Sequence, residues 1–164
     1  MNKSIETEFR PLISSDLWFL KEMFYESLFV PPGEGAFPLE VIERPDLAKY
    51  YLGWGKAEDL GLIAEQGSVP VGAVWCRTFT EANKGYGFVA PEIPELGIAI
   101  QKPYRGQGIG TQLLINIMTS LLAQGIHQVS LSADTRNPAL RLYQRHGFVE
   151  VKKDGFSCIM LKKL

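Results

Sequence analysis

Ile98-Ala-Ile-Gln-Lys-Pro-Tyr-Arg-Gly-Gln-Gly-Ile-Gly110 runs from an apolar segment through a tight loop into a helix. The segment from Glu95 to Ile100 is rich in β-branched and apolar residues and bounded by Pro94 and Pro103, which predicts a strand. Gly106, Gly108 and Gly110 fall in the loop. Beyond them Ile109, Leu113, Leu114, Ile117, Met118, Leu121 and Leu122 recur at the spacings of one helix face, and Gly125 is placed to stop the helix.

A strand, a glycine loop and a helix start together make an anion site. The first N–H groups of a helix have no partner within it, and the helix dipole adds partial positive charge there. Glycines let an anion approach the backbone with no Cβ in the way. Arg105 adds a cation, and no Asp or Glu lies between Glu95 and Asp134, so no acid near in sequence repels a polyanion. A pyrophosphate held by Arg105, Gly106, Gln107, Gly108, Ile109, Gly110 and Thr111 is the expected guest. The nucleotide P-loop requires a Lys before its Ser or Thr, and Gly110-Thr111 has none. The dinucleotide fingerprint requires G-x-G-x-x-G and an acid about 20 residues on; here the spacing is G-x-G-x-G and Asp134 lies too far away.

The pattern Arg105-x-x-Gly108-x-Gly110 resembles the acetyl-CoA-binding motif of the GNAT N-acetyltransferase superfamily. A second signature follows in order. After the predicted strand Val129 to Ala133 come Asn137, then Tyr143 in the next helix, then Gly147-Phe148 opening another strand. The likeness is detailed from Glu95 to Phe148 and extends elsewhere as element order. Lys102 departs from it, standing where many relatives have Pro, with Pro103 beside it.

The chain has 164 residues, enough for a sizeable core in one domain, read as residues 1–164. A net charge of −1 and the lack of a basic run argue against nucleic acid as a partner. Two cysteines, Cys76 and Cys158, imply no disulfide framework, and no metal-ligand spacing is present. Met1-Asn-Lys-Ser4 lacks the apolar core of a signal peptide, and no apolar run is long enough to span a membrane. A cytoplasmic protein, where acetyl-CoA is available, is expected.

Taken from the start, Ile5 to Leu12 reads as an edge strand. A helix carrying Leu17, Leu20, Phe24 and Leu28 follows Ser14-Ser-Asp16, and a second starts at Pro45-Asp46. Leu60 to Glu65 and Val69 to Phe79 read as paired strands about Gln66-Gly67-Ser68, with Val71, Ala73, Trp75 and Arg77 on one face. Tyr86 to Val89 reads as a short extension of the sheet. Two strands, Phe148 to Lys152 and Ser157 to Leu161, close the chain around Asp154-Gly155. The order β-α-α-β-β-β-α-β-α-β-β predicts a mixed α/β sheet with helices on both faces.

That order matches the resembled family. The resemblance implies a mostly antiparallel sheet of about seven strands whose fourth and fifth strands splay apart. In that wedge Ile98, Ala99 and Ile100 would pair their backbone with the pantetheine arm of acetyl-CoA. It also implies an N-acetyltransferase acting by direct attack in a ternary complex, with Tyr143 as acid toward the leaving thiolate and Glu95 as base through a water. The Ile98 N–H would be the oxyanion donor. Asn137 would hydrogen-bond the pantetheine, cap its helix, or both. Homodimers, common among such relatives, stay open.

The residue types suit that chemistry. A free alkyl ammonium has a pKa of about 10 and must lose a proton before attack. A phenol is protonated at neutral pH and donates to a departing sulfur. Plain packing of Tyr143 and plain solvation of Glu95 are the bland alternatives. A covalent route through Cys76 or Cys158 would need a nearby base or cationic setting; Cys76 sits between Trp75 and Arg77 in a strand with no His near in sequence, and buried inert thiols are expected. The acceptor site is expected from the Phe29-to-Pro38 loop, Trp54, Trp75, Tyr86 and Phe88, with Glu34 or Glu40 drawing a cationic amine. The acceptor itself, a small-molecule or peptide amine, is not specified. A non-catalytic acyl-CoA-binding module is the alternative; it would dispense with Tyr143 and Glu95.

Overall fold

A computed structural model describes residues 4–164; the reading that rested on Met1 to Lys3 lies outside the described residues. The chain order is β1 (Thr7–Pro11), α1 (Leu17–Ser27), α2 (Pro45–Ala48), β2 (Leu60–Gln66), β3 (Val69–Arg77), β4 (Glu95–Ile100), α3 (Ile109–Ala123), β5 (Gln128–Asp134), α4 (Leu140–Arg145), β6 (Val149–Asp154) and β7 (Ser157–Lys163). These strands form one seven-stranded sheet in the order β1-β2-β3-β4-β5-β7-β6. Every neighbouring pair is antiparallel except β4 with β5.

Two apolar cores flank the sheet. On one face α3 buries Ile109, Leu113, Leu114, Ile117 and Leu121 with Val74, Cys76, Val129 and Leu131, and α4 adds Tyr143. Side chains recurring every three or four residues put this stripe inward, while Ile115 and Leu122 face out. Leu114 is fully buried, so Leu114→Ala would cost about 2–5 kcal/mol. Gly125, at φ +75°, ends α3, as its position in the sequence implies. On the other face α1 buries Phe19, Leu20, Met23 and Phe24 against Ile63, Ala73, Trp75 and Ala99.

β4 meets β5 at a single register position, Glu95 with Ser130, backed by the Ser130 N–H to the Pro94 carbonyl at 3.0 Å. The remainder of β4 pairs only with β3, through Ile98 with Val74, Ala99 with Ala73 and Ile100 with Gly72. The two strands therefore part beyond Glu95, and the splay expected for the fourth and fifth strands is present.

Leu122, which the spacing places on the inward face of α3, is exposed instead, because it lies off the stripe that meets the sheet. Two further sequence expectations fail. Tyr86 to Val89 forms turns rather than a strand, because its polar groups bond to side chains beneath it instead of to a sheet edge. Val71 does not share a face with Ala73 and Trp75. The register between β2 and β3 slips at Ala64 and Glu65, which pair with Gly72 and Pro70 and leave Val71 as an extra residue. Such a bulge turns its side chain to the opposite face, and Val71 packs in the α3 core.

Candidate active site

Two clefts meet at the parting of β4 and β5. The larger, of about 810 Å³, runs beside Ile98, Ala99 and Ile100 past Lys102 and Arg105 to Gly110. The smaller, of about 530 Å³, runs over Trp75, Glu95 and Leu131. Ile98, Asn137 and Tyr143 line both, so the junction has the strand backbone on one side and the phenol on the other.

The larger cleft is suited to a long anionic ligand. Gly106 and Gly108 turn the loop at φ +77° and +80°, and no atom would lie within 4 Å of a Cβ at either. Their value is thus backbone conformation and open approach, since other residues resist positive φ. Gly108 caps α3, leaving the N–H groups of its first turn pointing outward. Ile109 contributes only backbone, because its side chain is buried. Among the loop residues only Arg105 and Gly110 line the cleft itself; Gly106, Gln107, Gly108, Ile109 and Thr111 follow the turn beyond it. Gln107 is also tied to the end of β2, accepting from Gln66 at 3.0 Å.

Arg105 is not free, contrary to what the acid-free sequence around it suggests. Its Nε donates to the Ile100 carbonyl at 2.8 Å, and its guanidinium lies 3.5 Å from Glu26 of α1. Folding brings in an acid some eighty positions away, which no local reading could find. The contact is half-exposed and long, so it is weak. Arg105 still lines the cleft.

Tyr143 is 9 % exposed and packs edge-on against Phe148 at 6.0 Å. Its hydroxyl bonds no described residue and borders both clefts. Burial pushes the phenol up to about 12, so it keeps its proton at neutral pH. Asn137 lies ahead of α4 rather than inside it, and its side-chain oxygen accepts from the Ala139 N–H at 2.9 Å. This bond closes a turn just ahead of α4, whose cap position is Ala139 and carries no side-chain cap.

Glu95 begins β4 and is 4 % exposed. Its Oε1 accepts from the Tyr50 hydroxyl at 2.6 Å and from the Gly87 N–H at 2.7 Å. Its Oε2 is buried and has no hydrogen-bond partner among the described residues. Burial raises the Glu95 carboxyl above the usual carboxylate range, against the opposing pull of the Tyr50 and Gly87 hydrogen bonds and the Lys49 charge. The Tyr50 phenol is pushed up as well, first by burial and then by Glu95's charge, so it remains a donor.

The segment over Glu95 explains its glycines. Tyr86 N–H donates to Tyr50 Oη at 2.7 Å, and Ser130 Oγ donates to the Gly87 carbonyl at 2.7 Å. A Cβ on Gly85 would strike Glu95 Oε2, and one on Gly87 would come within 2.9 Å of Oε1. The sequence reading missed Tyr50. The one available signal was Gly85-Tyr-Gly87, two glycines bracketing an aromatic, which marks a close backbone approach.

The expected acceptor residues divide. Trp75 and Tyr86 line the smaller cleft and Phe29 lines both. A Cβ at Gly97 would collide with the Trp75 indole, so the absence of a side chain there lets Trp75 lie across β4. Trp54 is buried elsewhere, its ring 5.3 Å from the Arg77 guanidinium. Arg77 itself pairs with Asp59 at 2.8 Å, both nearly fully buried. Glu34 lies along the larger cleft; Phe88 and Glu40 line neither.

Cys76 is fully buried and burial raises its thiol; Cys158 is buried and raised likewise. Among the described residues no group of three or more His, Cys, Asp or Glu is placed to hold a metal ion, and no helix is long and apolar enough to cross a membrane.

Comparison with known proteins agrees with this geometry. The chain is 31% identical over 101 residues to the N-alpha-acetyltransferase MAK3 of Arabidopsis thaliana, covering 57% of this chain and 50% of that protein. It thus spans about half the length of this curated relative. The PaiA N-acetyltransferase of Thermoplasma acidophilum, solved with coenzyme A, superposes with a TM-score of 0.70 at 22% identity, over 97% of this chain and 99% of that one. The ribosomal-protein-alanine N-acetyltransferase of Brucella melitensis superposes at 0.67 and 20% identity, over 96% and 99%. Residues 19–148, most of the chain, match the model of the acetyltransferase (GNAT) family, and the chain belongs to that family.

Proposed function

We propose that this protein transfers an acetyl group from acetyl-CoA to a primary amine, by direct attack while both are bound. The observation that carries the reading is the junction: a cleft with Arg105 and the α3 start on one side, a cleft with Glu95 on the other, and Tyr143 facing both. The pantetheine arm extends along the free edge of Ile98 to Ile100 by strand-like pairing. The pyrophosphate lies at Arg105 and the first turn of α3. The family's use of acetyl-CoA and the amine acceptors named for its relatives fit this arrangement, and the cytoplasm is where the co-substrate is supplied.

The acceptor ammonium loses a proton toward Glu95, whose raised basicity and uncommitted Oε2 suit the task. The neutral nitrogen attacks the thioester carbon as the Ile98 N–H receives the growing oxyanion charge. The C–N bond forms and the C–S bond breaks. Tyr143 gives its proton to the sulfur, so coenzyme A leaves as a thiol; the nitrogen, cationic after attack, loses its second proton, which restores the phenol directly or through solvent and leaves a neutral amide. A buried thiol with a raised pKa offers no nucleophile for a covalent route.

The hydrogen bonds around Glu95 favour one competing reading, a purely structural latch for residues 85–87. Steady-state assays with acetyl-CoA and an amine panel, reading free coenzyme A and acetylated product by mass, address both readings. Intersecting initial-velocity lines are expected, with activity kept in Cys76→Ala and Cys158→Ala and lost in Glu95→Gln. A wild-type Glu95→Gln enzyme would leave only the latch. An acetylated cysteine with parallel lines would overturn direct attack. Binding of acetyl-CoA without turnover of any amine would make the protein a sensing module.

A further inference from the structure

The two clefts differ in the charges they present. Among the described residues the only cations lining either one, Lys102 and Arg105, lie on the cofactor side, beside Glu26 and Glu34. The acceptor side is lined by three carboxylates, Glu95, Asp134 and Asp154, and by no described Lys, Arg or His. Two cations close by are already engaged. Arg136 is paired with Asp134 by two contacts of 2.9 and 2.8 Å, its guanidinium 3.9 Å from the centre of the Phe156 ring. Lys49 donates to Asn83 at 3.3 Å and to the Lys84 carbonyl.

The remaining lining is mixed: Phe24, Leu47, Trp75, Leu131 and Phe156 give it apolar and aromatic surface, and Ser27, Ser132 and Ser157 give it hydroxyls. Phe24 stacks on Tyr50 at 5.4 Å, so this wall is rigid. About 530 Å³ accommodates a ring-sized group as well as the amine. An acceptor carrying a carboxylate beside its amine would bring an anion into a cleft that holds Glu95 and Asp154 and, among the described residues, no cation of its own to pair it, Asp134 being matched by Arg136. Like charges there are costly.

Resting on the acetyl-transfer reading, we infer that the acceptor is an ammonium borne on an apolar, ring-sized body with no anionic group beside the amine. Two sources share that chemistry, the start of a peptide whose first residue is bulky and apolar, and a small arylalkylamine. Free amino acids are excluded by the same argument, and a linear polyamine lacks the ring-sized body.

The test is calorimetric binding of four amines to the protein saturated with coenzyme A, which needs no turnover. Phenylalaninamide, phenethylamine, phenylalanine and spermidine are compared. Phenylalaninamide and phenethylamine are expected to bind at least tenfold more tightly than phenylalanine or spermidine. The amide binding more tightly indicates a peptide start, and phenethylamine binding more tightly a small amine; either supports the inference. Phenylalanine binding as well as its amide, spermidine binding most tightly, or none of the four binding would overturn it. Selective binding without acetyl transfer would instead count against the transferase reading alone.

Discussion

Tyr50→Phe removes one hydroxyl and keeps the ring that stacks on Phe24 and meets Phe79 at 4.9 Å. The lost hydroxyl donates at 2.6 Å to a carboxylate that is itself 4 % exposed. Hydrogen bonds to charged groups contribute about 1.5–3 kcal/mol. Because this bond favours the charged form of Glu95, losing it moves the balance toward the protonated acid. The acid limb of kcat/KM against pH should therefore move to higher pH, since more alkaline solution is needed to ionise Glu95. At a pH well above the limb, activity should largely return. The assay is coenzyme A release across a pH series, at acetyl-CoA saturation and low amine. A limb that stays in place, or a loss equal at every pH, would refute the role given to Tyr50 and reduce it to packing.

Arg105→Ala should weaken acetyl-CoA binding by about 1.5–3 kcal/mol, the range for hydrogen bonds to charged groups, while Glu26→Gln should leave it unchanged or a few-fold tighter by releasing the guanidinium; calorimetry at low salt checks both. Asp59→Ala strands Arg77 with only the Lys49 and Leu52 carbonyls as partners, and should cost about 3–5 kcal/mol. In a chain of this size that lowers Tm by roughly 6–20 °C, which calorimetric melting reads directly. Glu95's carboxyl titrates above its unfolded value, so between the two the folded state holds a proton that the unfolded state has lost. Stability should fall as pH rises through that interval. Glu95→Gln should remove this fall from the Tm-against-pH profile.

Local pattern carried much of the fold into the sequence. The stripe of Leu113, Leu114, Ile117 and Leu121 needs only its own spacing to be read as a helix face. The Gly106 and Gly108 turn and the Gly125 stop depend on backbone conformations that glycine adopts most readily. What stayed hidden depends on residues distant in the chain. Tyr50 reaches Glu95 across 45 positions, and Glu26 reaches Arg105 only once α1 has packed on the sheet. The bulge at Val71 leaves no mark in a run of apolar residues, because the side chain is buried on either face. Trp54 and Trp75 look alike as sequence, and each lies against a glycine, Gly61 and Gly97, yet only Trp75 lines the cleft.

The account turns on Tyr143 as the proton donor where the two clefts join, and kcat of Tyr143→Phe on the best amine tests it most directly. Phenylalanine preserves the contact with Phe148 and the buried volume, and removes only the unpaired hydroxyl. A fall in kcat of about 10²–10⁴-fold is predicted, with acetyl-CoA affinity nearly unchanged because binding does not require the proton. A Tyr143→Phe enzyme that turns over at the wild-type rate would contradict the account and leave Tyr143 as part of the core.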